Sequence, residues 1–328
     1  MLETHFQTVI FPIHFQKMIQ RDDRKLARVI SVQANHYYVQ TEEQFYLAQL
    51  SGKFFYNTKK EEDMPIVGDY IEIAFQDEKR AIIHKVFERV TLLKRKSPGS
   101  SGKVQYLASN IDQIWVAMGL NNDFNIRRLE RYLSIIEKSK AKPIVVLTKR
   151  DLVDDAEDKK SQISQYFPNV EVCTTSSNLE DGFSELNQFL VPDTTIAIIG
   201  SSGVGKSTIT NYLLNEDVQK TNETRKDDRG RHTTVSRNLF YSSNHFAIID
   251  MPGMREIQID DADFSDTFQD IYEYASTCHF RDCTHTNEVG CAVIQAVSDQ
   301  IIEYSRYENY LKMSNELVER KKFKLRSK

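Results

Sequence analysis

The chain has 328 residues, 40% of them hydrophobic and 27% charged, a globular composition that excludes a disordered or fibrous protein. Its formal net charge of −4 excludes a generally basic coat for nucleic acid but allows a local basic patch. No apolar run approaches the roughly 18 residues that cross a membrane, so we expect no membrane contact, and the length indicates two or three domains.

Residues 1–23 are expected to form an N-terminal arm. The stretch is apolar in places, but it carries Glu3 early, has Pro12 and His14 in its middle and lacks a small-residue cleavage site. We therefore do not interpret it as a signal peptide, and we expect a cytoplasmic location. A short strand and a docking arm both remain open for this stretch.

Residues 24–91 contain short segments rich in β-branched and aromatic residues, separated by turn signals. The strands predicted from this pattern cover residues 26–33, 36–40, 44–50, 68–75 and 80–87. Five short strands in so short a stretch favour a small β-barrel of the OB type. An SH3-like barrel would show a similar pattern and remains the alternative.

Residues 92–109, which include a stretch rich in glycine, serine, lysine and arginine, are the expected linker. Strands and helices then alternate over residues 110–255. The predicted elements are strands at 111–120, 143–148, 170–175 and 194–200, helices at 126–138, near 156–166 and near 181–190, and a hairpin within 238–250. This alternation predicts an α/β domain with a mostly parallel sheet.

Two polar motifs follow predicted strands in this domain. The sequence T-K-R-D, which contains Thr148, Lys149 and Asp151, resembles the guanine-reading N-K-x-D motif of GTPases, with Thr148 in the place of the usual asparagine and able to take over part of its tethering role. The aspartate of that motif accepts hydrogen bonds from guanine, the lysine stem packs over the base, and adenine offers no matching donors. An exposed helix start capped by Asp151 is the alternative. Ser176 and Ser177 occupy the place of the Ser-Ala step that backs the base in GTPases.

The sequence GSSGVGKS fits the phosphate-binding pattern G-x-x-x-x-G-K-[ST], follows an apolar strand and opens a predicted helix. Glycines let backbone N–H groups surround phosphate oxygens, Lys206 balances the β- and γ-phosphate charge, and Ser207 offers a hydroxyl to Mg²⁺. A chance glycine-rich turn is the alternative, and the strand, motif and helix together disfavour it. The expected phosphate loop comprises Gly200, Ser201, Ser202, Gly203, Val204, Gly205, Lys206, Ser207 and Thr208.

Two further segments are expected to respond to the γ-phosphate. Asp250 ends a second apolar strand, and its carboxylate there can reach Mg²⁺ through water while the N–H of Gly253 senses the γ-phosphate. An ordinary D-x-P-G turn is the alternative. The polar stretch 219–237 is the expected first switch, in which Thr233 or Thr234 closes on Mg²⁺, with Thr234 favoured.

Met254 stands where Ras-like GTPases carry a water-orienting glutamine. Because a thioether cannot orient water by a strong hydrogen bond, we expect slow hydrolysis without help. His232 is the candidate catalytic residue, and a surface histidine in a loop is the alternative. The guanine motifs precede the phosphate motifs, the reverse of the order in most GTPases, which indicates a circular permutation. Chain termini lie at protein surfaces, so such a permutation is sterically possible.

Three of the four cysteines lie close together in the pattern C-x4-C-x-H-x5-C. Clustered cysteines in a cytosolic chain favour a metal over a disulfide framework. The candidate ligands, a usual set for one structural four-coordinate zinc, are Cys278, Cys283, His285 and Cys291. Three buried free thiols are the alternative. Residues 256–328 are predicted to form a helical domain that needs such a metal because it lacks a large core.

Basic side chains cluster beside the barrel and at the C-terminal end of the chain. Those beside the barrel are Lys94, Arg95, Lys96 and Lys103, and those of the tail lie within residues 320–328. OB barrels present a strand face to single-stranded nucleic acid, and lysine and arginine contact phosphates. We therefore expect localised RNA contacts, with a solvated tail as the alternative for residues 320–328.

The barrel, the reversed motif order and the cysteine pattern, with its run GCAV at residues 290–293, together resemble the circularly permuted small-ribosomal-subunit biogenesis GTPases of the RsgA family. The resemblance covers nearly the whole chain beyond the arm. It implies a permuted P-loop GTPase domain, preceded by an OB barrel and followed by a helical zinc domain. It also implies a GTP hydrolase that the small (30S) ribosomal subunit stimulates, acting late in maturation of that subunit through contacts with its rRNA.

The resemblance assigns guanine recognition to Thr148, Lys149 and Asp151, phosphate binding to residues 200–208 and the second switch to Asp250 and Gly253. It also assigns one structural Zn²⁺ to the four clustered ligands. We expect a monomer that binds GTP and GDP together with Mg²⁺.

Another class of function remains open at this stage. An RNA-binding module that uses GTP as a structural ligand, without significant turnover, is compatible with Met254 and with Thr148. An ATPase is disfavoured by Asp151. Phosphate release stimulated by the small subunit separates the hydrolase from the module, and competition between GTP and ATP tests the ATPase.

Overall fold

The computed structural model describes the chain in ranges separated by gaps. The ranges are 23–33, 36–58, 60–96, 104–121, 123–214, 237–251, 268–280, 282–304, 306–311 and 314–315, with the single residues 11, 15, 17 and 19. The chain divides into two compact units. The first unit comprises Met1–Arg95, Gln105–Asn125 and Ile136–Glu256, and the second comprises Lys96–Val104, Ile126–Ile135 and Ile257–Lys328. The predicted barrel and GTPase segments share the first unit, and the division at residues 23, 91, 109 and 255 stays a prediction.

The described strands follow the predicted positions closely. They are β1 (Lys25–Gln33), β2 (His36–Gln40), β3 (Phe45–Leu50), β4 (Tyr70–Phe75), β5 (Arg80–Val86), β6 (Leu92–Lys96), β7 (Val104–Ser109), β8 (Gln113–Gly119), β9 (Lys142–Thr148), β10 (Glu171–Thr174), β11 (Thr195–Gly200), β12 (Asn238–Tyr241) and β13 (Ala247–Asp250). One sheet has the order β10-β9-β8-β11-β13-β12-β1-β2-β3-β5-β4, and β6 pairs with β7 separately.

The described helices are α1 (Gly52–Asn57), α2 (Ile126–Ser139), α3 (Ala156–Tyr166), α4 (Lys206–Leu214), α5 (Gln269–Ala275) and α6 (Ala292–Ser298), with 3-10 helices at Glu61–Asp63, Arg150–Leu152 and Ser184–Phe189. Among the residues the structure describes, no helix has both the length and the apolar character needed to cross a membrane.

β1 to β5 form a closed barrel, as predicted. β1 pairs with both β2 and β4, and the parallel pair β3–β5 joins the two halves, giving the five-stranded OB-type barrel rather than the SH3-like alternative. Alternate side chains point inward, and the core includes fully buried Val29, Val39 and Ile73. In the arm, Phe15 stacks on Tyr70 with ring centroids 4.2 Å apart.

The predicted mostly parallel sheet is confirmed in the order β10-β9-β8-β11-β13. These strands pair in parallel, whereas β12 runs antiparallel to β13 in the predicted hairpin. β8 is buried along its whole length, as expected for a central parallel strand covered on both faces. The carboxyl ends of β9 and β11, which carry the two nucleotide motifs, therefore lie on one edge of the sheet.

Two segments differ from their predictions. The expected linker 92–109 forms the paired strands β6 and β7 at its ends, because Leu93 and Leu107 are buried there. The segment near 181–190 forms a 3-10 helix over Ser184–Phe189 instead of an α-helix. Its Glu185 carboxylate accepts hydrogen bonds from the backbone N and Oγ1 of Thr174 in β10.

The second unit has a core of its own, in which α5 and α6 pack together. Arg306 donates one hydrogen bond to Glu130 of α2 (2.6 Å) and another to Asp270 of α5 (2.5 Å). Burial raises the pKa of Glu130 to about 7, although the Arg306 charge acts in the opposite direction. The helices of this unit are therefore joined by a shared guanidinium as well as by apolar contacts.

Arg28 of β1 is a buried cation that joins three segments of the first unit. Its guanidinium donates to the carbonyls of Gly68 (3.2 Å) and Asn110 (3.0 Å) and to the Thr195 hydroxyl (2.8 Å). We expect Arg28→Met to lower the free energy of unfolding by at least about 3 kcal/mol, because it leaves three acceptors without this donor and each such loss costs about 1–3 kcal/mol. Urea denaturation measures this change.

The control is Arg80→Met, since the Arg80 side chain is exposed and its ion pair with Asp77 is long, at 3.8 Å. An exposed pair of this kind is worth about 0–1 kcal/mol. Equal urea midpoints for the Arg28 and Arg80 variants would show that the buried network contributes no special stability.

Candidate nucleotide-binding site and metal-ligand cluster

The glycine-rich segment 200–205 turns the chain from β11 into α4. Gly200, Gly203 and Gly205 have φ angles of 147°, 74° and 102°, values that L side chains rarely adopt. A Cβ on Gly200 would lie 2.3 Å from the carbonyl oxygen of Ala117 in β8. The loop therefore needs glycine for its own path and for its close approach to the neighbouring strand.

Lys206 lies at the first position of α4 and is buried. Its Nζ donates hydrogen bonds to the carbonyl oxygens of Gly200 (3.0 Å) and Ser201 (2.6 Å). Burial lowers the pKa of Lys206, whereas the carboxylates of Asp250 and Asp123 act in the opposite direction. A cation is thus held inside the curve of the loop, where it can meet an anionic ligand.

The remaining phosphate-loop residues and Asp250 lie where the sequence indicates. Ser202, Gly203, Ser207 and Thr208 are exposed, and Val204 is buried. Asp250 ends β13, which pairs with β11 in parallel through Ile198. The carboxylate of Asp250 therefore belongs to the same edge of the sheet as the loop, close enough to influence Lys206.

Thr148 connects the predicted base motif to the phosphate loop. It ends β9 and is buried, and its Oγ1 donates to the carbonyl oxygen of Val204 at 2.7 Å. The carbonyl oxygen of Met118 at the end of β8 lies 3.4 Å from the same hydroxyl. Lys149 follows with a left-handed φ of 62° and starts the 3-10 helix that carries Asp151.

The Asp151 carboxylate is exposed and is held by two side chains of the loop after β10. Ser176 Oγ donates to Oδ1 at 2.5 Å, and Asn178 Nδ2 donates to Oδ2 at 2.7 Å. These two hydrogen bonds, the one from Ser176 first, lower the pKa of Asp151. Of the two predicted serines, the structure brings Ser176 to the aspartate, while Ser177 is exposed.

Sequence reasoning missed Asn178. Its signal was its position two residues after Ser176, in a polar loop at the carboxyl edge of the sheet. The other predicted functional residues, Thr233, Thr234, His232, Gly253 and Met254, lie outside the described residues.

The four predicted metal ligands come together in the second unit. The ligand atoms of Cys278, Cys283, His285 and Cys291 all lie within 4.8 Å of one another. Cys278 Sγ is 3.8 Å from Cys291 Sγ and 3.5 Å from His285 Nδ1, and His285 Nδ1 is 3.4 Å from Cys291 Sγ. Metal–sulfur bonds of about 2.3 Å place the sulfurs of a tetrahedral site about 3.8 Å apart. The cluster therefore fits a tetrahedral metal ion.

The protein around the cluster supports metal binding. Burial raises the pKa of Cys278, but hydrogen bonds from the backbone of Val293 and Ala292 and from the thiols of Cys291 and Cys283 together bring the pKa below its usual value. The Glu288 carboxylate accepts hydrogen bonds from the hydroxyl and N–H of Thr284, and these lower its pKa to about 2. The loop between the ligands is thus held by its own hydrogen bonds.

Family models match the barrel segment and the α/β segment of the chain. The RsgA GTPase model matches residues 86–260, and the RsgA N-terminal domain model matches residues 27–83. Both matches agree with the barrel and with the phosphate-loop segment described above.

Curated relatives and solved structures agree with these matches. The chain is 42% identical over 257 residues, 77% of its own length and 70% of the relative, to the small ribosomal subunit biogenesis GTPase RsgA of Methanosarcina acetivorans. It is 40% identical over 293 residues, 89% of its length and 83% of the relative, to the small ribosomal subunit biogenesis GTPase RsgA 2 of Lactiplantibacillus plantarum.

Two crystal structures, each 26% identical in sequence, share the fold. YjeQ from Thermotoga maritima has a TM-score of 0.65, with 90% of this chain and 99% of that one covered. YloQ, described as a circularly permuted GTPase, has a TM-score of 0.62, with 92% and 97% covered. The reversed order of guanine and phosphate motifs in this chain agrees with that description. The chain belongs to the RsgA family of circularly permuted GTPases.

Proposed function

We propose that this protein is a GTP hydrolase that the small (30S) ribosomal subunit stimulates, acting late in maturation of that subunit. The observation that carries the proposal is the hydrogen bond of Thr148 to Val204, which joins the proposed base-recognition motif to the proposed phosphate loop on one edge of a sheet. The ribosomal part is supported by the relatives, whose names refer to biogenesis of the small ribosomal subunit.

The base would be read by the Asp151 carboxylate. Guanine presents two neighbouring donors, N1–H and the 2-amino group, whereas adenine presents no such pair to a carboxylate. The stem of Lys149 would pack over the base, and Ser176 and Ser177 would lie behind it. The free Asp151 carboxylate is charged, since hydrogen bonds lower its pKa, and it therefore acts as an acceptor only.

The phosphates would be bound by backbone N–H groups of residues 200–208, at the N-terminus of α4. Lys206 would transfer its hydrogen bonds from the Gly200 and Ser201 carbonyls to phosphate oxygens. Ser207, Asp250 and Thr234 are the residues proposed to hold Mg²⁺, which when bound neutralises phosphate charge. Asp250 already lies near the Lys206 ammonium.

In hydrolysis, a water oxygen forms a bond to the γ-phosphorus as the bond from phosphorus to the β–γ bridging oxygen breaks, giving GDP and inorganic phosphate. Gly253 would sense the γ-phosphate through its N–H. Because Met254 replaces the usual glutamine, we assign the orientation of water to His232. The small subunit would position the groups that complete this arrangement.

The Cys₃His cluster is proposed to hold one structural Zn²⁺. The ligand spacings near 3.5–3.8 Å support a closed four-coordinate site with no open position for a substrate. The metal, when bound, cross-links the loop of residues 278–291 to α6. The barrel and this zinc-binding region would contact rRNA, with the protein a monomer in the cytoplasm.

The proposed function is tested by phosphate release from GTP, with and without purified small ribosomal subunits, with ATP as the substrate control. We expect the subunits to stimulate phosphate release strongly from GTP and not from ATP. The Lys206→Ala variant serves as the inactive control. Tight GTP binding without stimulation by intact subunits would overturn the enzyme proposal in favour of an RNA-binding module that uses GTP as a structural ligand.

The link between the two motifs makes a separate prediction. Thr148→Val keeps the size of the side chain but leaves the Val204 carbonyl without its donor, a loss of about 1–3 kcal/mol at a buried group. We expect GDP and GTP to bind up to about 5- to 150-fold more weakly, measured by calorimetry. The Thr148→Ser control keeps the hydroxyl and should bind as the unmodified protein does. Equal affinities for the two variants would show that the tether does not support binding.

A further inference from the structure

Asn178 is an exposed residue that shares the proposed guanine-reading carboxylate with Ser176. Asn178 Nδ2 lies 2.7 Å from Asp151 Oδ2, and Ser176 Oγ lies 2.5 Å from Oδ1. Because a carboxylate only accepts hydrogen bonds, the amide of Asn178 must turn its NH₂ group toward it. Each oxygen of Asp151 is thus held by a different donor.

The loop that carries both donors is closed by its own backbone. The N–H of Ser176 donates to the carbonyl of Gly182 at 2.8 Å, and a Cβ at Gly182 would lie 1.8 Å from the Ser176 carbonyl oxygen. The N–H of Asn178 also donates to Ser176 Oγ at 3.2 Å. A bonded ring therefore runs from Asn178 through Ser176 to Asp151 and back to Asn178.

A carboxylate held at one oxygen can still rotate, because the terminal torsion of aspartate is broad. Bonds to both oxygens restrict that rotation. A carboxylate has about four acceptor sites, and two are occupied by Asn178 and Ser176. Two sites remain, which equals the number of donors that the guanine edge presents to it, N1–H and the 2-amino group.

We propose that Asn178 is a positioning residue for guanine recognition, which fixes the plane of the Asp151 carboxylate so that both remaining acceptor sites meet the base. The inference rests on the proposed binding of guanine nucleotides. It adds the residue that orients the carboxylate so that it can accept two hydrogen bonds from guanine. Asn178 acts through Asp151 and does not itself contact the base.

The test compares Asn178→Ala with the unmodified protein by calorimetric binding of GDP and of inosine diphosphate. Hypoxanthine keeps N1–H but lacks the 2-amino group, so it makes one hydrogen bond to the carboxylate where guanine makes two. We expect GDP affinity to fall about three- to ten-fold, the value of one hydrogen bond. The affinity for inosine diphosphate should fall less. The ratio of the affinity for GDP to the affinity for inosine diphosphate should therefore decrease toward one.

The control is Asn187→Ala. This substitution removes an amide oxygen that accepts a hydrogen bond from the Tyr212 hydroxyl and that has no assigned contact with Asp151. It should change neither affinity. A general loss of structure would weaken both nucleotides equally and leave the preference unchanged. An unchanged preference in Asn178→Ala, with GDP favoured over ADP by the unmodified protein, would overturn the role of Asn178 alone. No preference of the unmodified protein for GDP over ADP would overturn the proposed function itself.

Discussion

Asp151→Asn is expected to lower the affinity for GTP and GDP by about 10²- to 10⁴-fold. The proposed guanine site loses two hydrogen bonds to a charged acceptor, each worth about 1.5–3 kcal/mol. The amide keeps only one acceptor oxygen, so it can accept only one of the two bonds that Ser176 and Asn178 now donate to separate carboxylate oxygens. The loop after β10 therefore loses one of its anchors. Xanthosine diphosphate should gain affinity, because xanthine presents a carbonyl oxygen where guanine has its amino group.

Competition binding with GDP, xanthosine diphosphate and ADP measures this change in preference. Asp154→Asn is the matched control, since Asp154 is an exposed aspartate of the same connection and no base contact is assigned to it. The control should bind as the unmodified protein does. GDP binding by Asp151→Asn at unchanged affinity would show that this carboxylate does not read the base.

Cys283→Ala is expected to release the metal and to unfold the second unit. A structural zinc contributes apparent binding free energies of about 10–16 kcal/mol in small zinc-dependent folds, more than a small core supplies. The proposed ligands belong to the core of that unit, in which Cys291 and Val293 are buried. GDP binding should persist, because the phosphate loop and Asp151 belong to the first unit.

Elemental analysis for zinc, combined with limited proteolysis, measures both effects. Cys173→Ala is the control, because Cys173 is a buried thiol of β10 in the first unit. That variant should retain about one zinc per chain and a protease-resistant second unit. Retention of a full equivalent of zinc by Cys283→Ala would contradict the proposed ligand set, and a chelator should reproduce the effect of the substitution.

The sequence by itself determined the barrel strands, the parallel α/β pattern, the glycine-rich loop before Lys206 and the group of three cysteines and one histidine that could hold a metal ion. These features are local or periodic. Alternation of apolar and polar residues predicts a half-buried strand, and a glycine-rich loop followed by Lys-Ser at the start of a helix is typical of phosphate binding. The reversed order of motifs is also a property of the linear chain. The features that identify the family therefore do not depend on the strand order.

Tertiary structure decided the contacts between distant segments. The hydroxyl of Thr148 reaches Val204, Arg28 reaches Thr195, and Asn178 reaches Asp151, although nothing in local spacing pairs them. The two ends of the expected linker form β6 and β7, which pair with each other. Hydrophobic periodicity indicates which face of a helix or strand is buried, but it does not indicate which other element packs against that face. The partners of each polar side chain therefore depend on how the sheet orders its strands.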